Sequence, residues 1–68
     1  MIFSKDTIMR NSRQLFHNMR KMSHYTFSDL QGGSHLNDTE LCLAIGQLMQ
    51  EGKVTQYRDA KGIYYEVA

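Results

Sequence analysis

The chain has 68 residues, of which 41% are hydrophobic and 22% charged, with one cysteine and a formal net charge of +1. This composition argues against intrinsic disorder, an internal disulfide and a Cys/His zinc finger, and no apolar run approaches the roughly 18 residues needed to cross a membrane. We therefore expect one small cytoplasmic domain spanning residues 1–68, with no cofactor and no metal.

The small net charge conceals an uneven distribution along the chain. Residues 1–24 contain five Lys and Arg residues against one Asp, a net charge of +4. Residues 25–52 contain four acidic residues and no Lys or Arg, a net charge of −4, and residues 53–68 contain three basic and two acidic residues, a net charge of +1. This asymmetry bears on which partners the protein can bind.

The N-terminal third predicts an amphipathic helix over residues 6–22, started by Ser4 or Asp6 as the cap. Apolar or small residues recur there at steps of 4, 3, 4 and 3, namely Ile8, Ser12, Leu15, Met19 and Met22. The opposite face carries a basic patch of Arg10, Arg13, His17, Arg20 and Lys21.

The segment after this helix gives weaker signals. Residues 24–27 are aromatic and β-branched, which predicts a brief strand. Ser28 and Asp29 then resemble the start of a capped helix, but Gly32 and Gly33 follow at once. Because two glycines in a helix cost roughly 1–2 kcal/mol relative to alanines, we expect a single turn or a frayed second helix. Leu36 ends the following turn and should point inward.

The strongest signal is a third helix starting after Asn37. Asn37 and Glu40 have the spacing of a capping box. An apolar stripe follows at i, i+3, i+4 and i+7, formed by Leu41, Ala44, Ile45 and Leu48. Gly52 stands where a left-handed residue would end the helix.

The C-terminal residues predict a β-hairpin, with strands at 54–58 and 63–67 joined by a connection over 59–62. In the predicted register Arg58 faces Ile63, Gln56 faces Tyr65, Tyr57 faces Tyr64 and Val54 faces Val67. Val54, Tyr65 and Val67 would then face the core. Tyr57 and Tyr64 would form an aromatic pair on the outer side.

This order of elements resembles the winged helix-turn-helix superfamily, an α+β fold of three helices, a short strand and a C-terminal hairpin wing. More narrowly, the chain is similar to a family of small, free-standing bacterial winged-helix proteins with no assigned activity. The first-helix residues Ile8, Asn11, Ser12 and Phe16 and the phrase Leu43-Ala44-Ile45-Gly46-Gln47-Leu48 followed by Glu51-Gly52-Lys53 carry the resemblance. Arg13, in place of a small residue, and the Gly32-Gly33 pair depart from the family pattern.

The resemblance implies a DNA-binding or transcription-associated protein whose third helix enters the major groove of double-stranded DNA. The candidate contacts on that helix are Thr39, Leu43, Gln47 and Gln50, and those on the wing are Arg58 and Lys61. The helix face has no Arg or Lys, and Asp38 and Glu40 lie at the end that would meet phosphates. We therefore expect modest affinity, because phosphate neutralisation supplies most non-specific binding.

A protein-interaction or homodimerisation module that does not bind DNA is the alternative. The basic patch is either a solvated surface or a site for an acidic protein, nucleic acid or the acidic middle of a second copy. We expect a homodimer, with Phe3, Met9, Phe16 and Leu43 as candidate contacts.

Enzymatic activity is not expected from this sequence. His17, His24 and His35 have no ligands at metal-binding spacing, and Cys42 has no neighbouring cation in sequence to make a thiolate, so we interpret it as a packing residue.

Overall fold

The computed structural model describes residues 4–19 and 22–68. The chain forms an α+β fold in the arrangement of a winged helix-turn-helix domain: α1 (Lys5–Asn18), α2 (Phe27–Ser34), α3 (Asp38–Gln50), β1 (Val54–Asp59) and β2 (Gly62–Val67). The helix α1 packs mainly against α3, and the antiparallel hairpin β1–β2 closes the domain. This confirms the predicted fold class.

The first helix begins as predicted and ends earlier. Ser4 is the N-cap, and its Oγ accepts the amide N–H of Thr7 at 3.1 Å. The helix ends at Asn18, and the prediction of residues 6–22 was wrong at this end. The hydroxyl of Tyr25 lies at this end: it accepts the N–H of Met22 at 3.0 Å and donates to the carbonyl of Asn18. Met22 consequently leaves the helical stripe and is 51% exposed, not buried.

The second helix is longer than predicted, and the strand before it is shorter. Only Tyr25 pairs with Tyr65 of β2, through two backbone hydrogen bonds of 2.8 and 2.7 Å. Thr26 then caps α2 in a reciprocal capping box with Asp29, so that the helix starts before Ser28. It continues through the glycine pair to Ser34, and the left-handed backbone of the following residue, His35 (φ 61°), takes the capping role often filled by glycine.

Replacing Gly32 or Gly33 by alanine is expected to stabilise the protein by about 0.5–1 kcal/mol at each position. Neither glycine has a positive φ, and a Cβ built at either meets no atom within 4 Å. Alanine therefore restricts the unfolded chain without straining α2. Thermal unfolding followed by circular dichroism should show a higher midpoint for each variant, whereas a lower midpoint would contradict the described course of α2.

The third helix has both predicted ends. The Glu40 N–H donates to Asn37 Oδ1 at 2.8 Å, and the Asn37 N–H donates to Glu40 Oε1 at 3.1 Å, which completes the capping box. At the other end Gly52 adopts φ +73° and donates to the carbonyl of Met49, while the N–H of Lys53 reaches the carbonyl of Leu48. These two bonds form a Schellman motif, which turns the chain directly into β1.

The hairpin has the predicted register throughout. Val54 pairs with Val67, Gln56 with Tyr65, Tyr57 with Tyr64 and Arg58 with Ile63. The ladder also includes Asp59 and Gly62, so the connection has two residues instead of four, and the Asp59 carboxylate accepts the N–H of Lys61 at 2.8 Å.

All four residues of the predicted α3 stripe are buried. The core consists of Leu15, Met19, Tyr25, Leu30, Leu41, Ala44, Ile45, Leu48, Val54 and Tyr65. Val67, predicted to face the core, is 41% exposed, because it ends its strand at a rim that it shares with Phe16 and Met22. Among the described residues Ser12 is the buried polar one, and its hydroxyl donates to the carbonyl of Met9 at 2.8 Å.

Stability is expected to fall at alkaline pH through Tyr65. Burial, with a smaller contribution from Cys42, raises the pKa of the Tyr65 hydroxyl above its ordinary value of 10.0. Because the folded state holds this proton more tightly, the contribution is complete below the ordinary pKa. Between the ordinary pKa and the raised folded-state pKa, the hydroxyl ionises in the unfolded chain before it does so in the folded protein. The stabilising contribution of Tyr65 is therefore lost as the pH rises through this range.

This effect can be measured as the change in thermal midpoint between about pH 9 and about pH 11. The decrease should be larger for the wild type than for Tyr65→Phe, which lacks the ionisable group. Equal decreases in the two proteins would show that Tyr65 does not contribute to the alkaline transition.

Candidate nucleic-acid interface

The four predicted contact residues of α3 lie along one outer face of that helix. Thr39, Leu43, Gln47 and Gln50 follow one another at four-, four- and three-residue steps, opposite the buried stripe of Leu41 and Leu48. Gln47 is half-buried, and the other three are exposed. The capping box and the Schellman motif fix both ends of α3, so this face is presented on a rigid element.

Gln47 is already engaged at the C-terminal end of the helix. Its Nε2 donates to Glu51 Oε2 at 2.8 Å, and Glu51 Oε1 lies 3.3 Å from the Nζ of Lys53. The hydrogen bond from Gln47 is the main reason that the pKa of Glu51 lies below its ordinary value, with Lys53 adding to it. A carboxylate therefore lies beside the candidate base-reading amide, and it also neutralises the nearest lysine.

The N-terminal end of α3 is acidic and internally bonded. Asp38 accepts a hydrogen bond from the side-chain amide of Gln31, and Glu40 is occupied in the capping box. The helix dipole favours these carboxylates at an N-terminus. The same carboxylates repel a phosphate approaching this end, so α3 by itself offers hydrogen-bonding groups without a compensating positive charge.

The wing supplies the cations that α3 lacks. Arg58 lies near the end of β1 and Lys61 in the two-residue connection, and both are exposed. Within residues 4–19 and 22–68 the only ion pair joins Lys53 to Glu51, so the wing cations form no ion pair with any described residue. Asp59, between them, is held by the backbone N–H of Lys61.

The basic patch is a separate surface on α1. Arg10, Arg13 and His17 are exposed there and border, with Gln14, a shallow depression of about 360 Å³. Arg20 and Lys21, the other two members predicted, lie outside the described residues. Arg13 contributes to the lowered pKa of Glu51, which places its positive charge toward the C-terminal end of α3.

An aromatic cluster on the outer face of the hairpin is larger than the sequence suggested. The predicted pair of Tyr57 and Tyr64 is stacked, with ring centroids 5.5 Å apart and an interplanar angle of 17°. The ring of His24 adds a third member, 5.2 Å from Tyr64 and tilted by 59°. No local pattern indicates this contact, because the bridge between Tyr25 and Tyr65 brings His24 to a strand far along the chain.

The His, Cys, Asp and Glu side chains are dispersed over the part of the chain that the structure describes. No group of three or more His, Cys, Asp and Glu residues is arranged to hold a metal ion among these residues. Cys42 is exposed on α3, so its interpretation as a packing residue was wrong. None of the described helices combines the length and apolar character that crossing a bilayer requires.

Comparisons with family models and with curated proteins found no match to this sequence. The functional interpretation therefore depends on the fold and on the surfaces described above.

Proposed function

We propose that this protein is a small winged-helix module that binds double-stranded DNA with modest affinity, in a transcription-associated role. In this proposal α3 enters the major groove and the wing contacts the backbone. We further propose membership of the family of small, free-standing bacterial winged-helix proteins that the sequence resembles, and a cytoplasmic location.

One observation carries the proposal: the outer face of α3 and the cations of the wing are both exposed, on a helix and a hairpin joined by a short turn. The Schellman motif at Gly52 joins α3 to β1 through the short connection 51–53, which restricts the orientation of the wing relative to the helix. Gln47 and Gln50 carry the amide groups that pair with adenine, and Thr39 carries a hydroxyl suited to phosphate or base contacts. Arg58 and Lys61 supply the phosphate contacts.

The charges set the expected affinity. Two wing cations release few counterions on binding, and the acidic residues at both ends of α3 oppose phosphates. Binding should therefore be detectable at low salt and should weaken steeply as salt is added. A regulator of this kind would need a second copy or a further partner to bind tightly.

The test is a fluorescence-anisotropy titration of mixed-sequence duplex DNA with three proteins of defined charge. The double variant Arg58→Gln/Lys61→Gln should lose about tenfold or more in affinity, and the slope of log K against log salt should shrink by about 1.8. Lys5→Gln/Arg10→Gln changes the net charge equally on α1 and should bind nearly as the wild type does. Equal losses in both variants, or no salt-sensitive binding by the wild type below roughly 100 μM, would end the proposal.

Glu51→Gln is expected to act in the opposite direction. In the wild type the Glu51 carboxylate accepts a hydrogen bond from Gln47 and forms an ion pair with Lys53. The substitution removes this carboxylate, so that the Gln47 amide and the Lys53 ammonium become available to DNA. The affinity for duplex DNA should rise several-fold, and the slope of log K against log salt should become steeper by about 0.9, the value for one more phosphate contact. Unchanged affinity would show that this end of α3 stays away from the duplex.

The second candidate is a homodimerisation or protein-interaction module that does not bind DNA. It is favoured by the apolar and thiol groups on the outer surface of α3, where Cys42 is exposed and Leu43 is 37% exposed, with no cation among them. The charge asymmetry would let the basic patch of one copy approach the acidic middle of another.

Of the predicted dimer contacts that the structure describes, Leu43 is the exposed one. Phe16 and Met9 are half-buried, Phe16 beneath the Lys53 ammonium at 5.5 Å, and Phe3 lies outside the described residues. Leu43 is therefore the residue to test. Light scattering should show a dimer that Leu43→Glu converts to a monomer, while a wild-type monomer at high concentration would contradict this candidate.

A further inference from the structure

Three aromatic rings lie side by side on the outer face of the hairpin. We call this group, Tyr57, Tyr64 and His24, the aromatic platform. The two tyrosine rings are nearly parallel, and the histidine ring leans on Tyr64 from the segment before α2. All three lie on the side of the sheet that turns away from the core residues Val54 and Tyr65.

The platform is open to solvent and borders a depression. Tyr57 is 42% exposed, so much of its ring is uncovered. Beside Tyr64 and His24 lies a depression of about 380 Å³, which Lys61 and the carboxylates of Asp59 and Glu66 also line. An open aromatic stack next to hydrogen-bonding groups fits a flat, polar-edged ring better than an aliphatic side chain.

We propose that the aromatic platform binds single-stranded nucleic acid by stacking its bases. Every base has a π-face, so a row of aromatic side chains binds single strands with little sequence preference. Lys61 at the rim would hold a phosphate, while Asp59 and Glu66 would accept hydrogen bonds from base amino groups. The bases of a duplex are stacked on one another and cannot lie on the rings.

The charges around the platform predict that single-strand binding depends less on salt than duplex binding does. One cation, Lys61, and two carboxylates line the depression beside the platform, so phosphate contacts contribute little and the rings carry most of the affinity. With at most one phosphate neutralised by Lys61, the salt slope for a single strand should be no steeper than about −0.7.

The experiment titrates the full chain into a labelled single strand of about 12 nucleotides and, separately, into the duplex of the same sequence. Tyr57→Leu/Tyr64→Leu keeps apolar bulk on the hairpin and removes the π-faces. Tyr57→Phe/Tyr64→Phe keeps the rings and removes only the hydroxyls. Circular dichroism and thermal unfolding confirm that each variant is folded.

The leucine variant should lose about tenfold or more in single-strand affinity, and the phenylalanine variant should bind within about twofold of the wild type. Failure of the wild type to bind the single strand, or equal affinity of the leucine and phenylalanine variants, would overturn the proposal. An equal loss for the duplex would also overturn it, because the rings would then belong to the duplex interface. Ring-dependent binding of the single strand without duplex binding would support this site and refute the proposed duplex function.

Discussion

Replacing Leu41 by alanine is expected to destabilise the protein by about 2–5 kcal/mol, the range for a large core side chain truncated to a methyl group. Leu41 is 0% exposed and sits in the first turns of α3, the helix that packs against α1 and passes directly into β1. At the usual stability per residue, a 68-residue domain has about 3–10 kcal/mol in total. The variant should therefore be largely unfolded, or close to it, at room temperature.

Urea unfolding followed by circular dichroism measures this loss. Leu43→Ala is the matched control, because it removes the same atoms from the same helix at a position that is 37% exposed, and it should change stability by about 0.5 kcal/mol or less. If Leu41→Ala and Leu43→Ala were equally stable, the assignment of the buried face of α3 would be incorrect.

Ser12→Leu is expected to have the second largest effect, a loss of about 1–3 kcal/mol or more. Ser12 is 1% exposed on the buried side of α1, which packs against α3, so that a leucine there must displace its neighbours. With each kcal/mol corresponding to about 4–8 °C in a domain of this size, the thermal midpoint should fall by several degrees or more.

Ser12→Ala separates size from polarity at this position. The alanine is small enough for the site and gives up only the hydrogen bond to the carbonyl of Met9, so its midpoint should stay near that of the wild type. A leucine variant as stable as the alanine variant would show that α1 and α3 are not closely packed at Ser12.

The elements that the sequence predicted best are those specified by local chemistry. The capping box of Asn37 and Glu40, the α3 stripe and the turn at Gly52 each depend on residues within a few positions of one another. The hairpin register follows in the same way, because Asp59 and Gly62 fix the turn and the alternation of side chains fixes the rest.

The elements that it predicted poorly depend on distant contacts. The end of α1 lies where the Tyr25 hydroxyl meets Asn18 and Met22, which no helical period reveals. The glycine pair argued against α2, but the capping box at Thr26 and the burial of Leu30 outweigh a propensity cost of about 1–2 kcal/mol. His24 joined the aromatic platform for a similar reason, since pairing between Tyr25 and Tyr65 decides its place.

The sequence predicted which residues of α3 lie on the candidate interface, but it did not predict the hydrogen bond and the ion pair that some of them form. Helical spacing placed Thr39, Leu43, Gln47 and Gln50 together on one face of α3. This is the exposed face, because it lies opposite the buried apolar stripe. The hydrogen bond from Gln47 to Glu51, and the ion pair from Glu51 to Lys53, depend on side-chain orientations that spacing alone does not specify. These two contacts lower the expected affinity for DNA, because they occupy the Gln47 amide and the Lys53 ammonium.

The most direct test of the central claim is an NMR titration of the ¹⁵N-labelled protein with duplex DNA at low salt. We expect the amide shifts to concentrate on the outer face of α3, around Gln47 and Gln50, and on the wing, around Arg58 and Lys61. Shifts confined to α1 around Arg10 and Arg13, or no shifts at all with excess duplex, would contradict it.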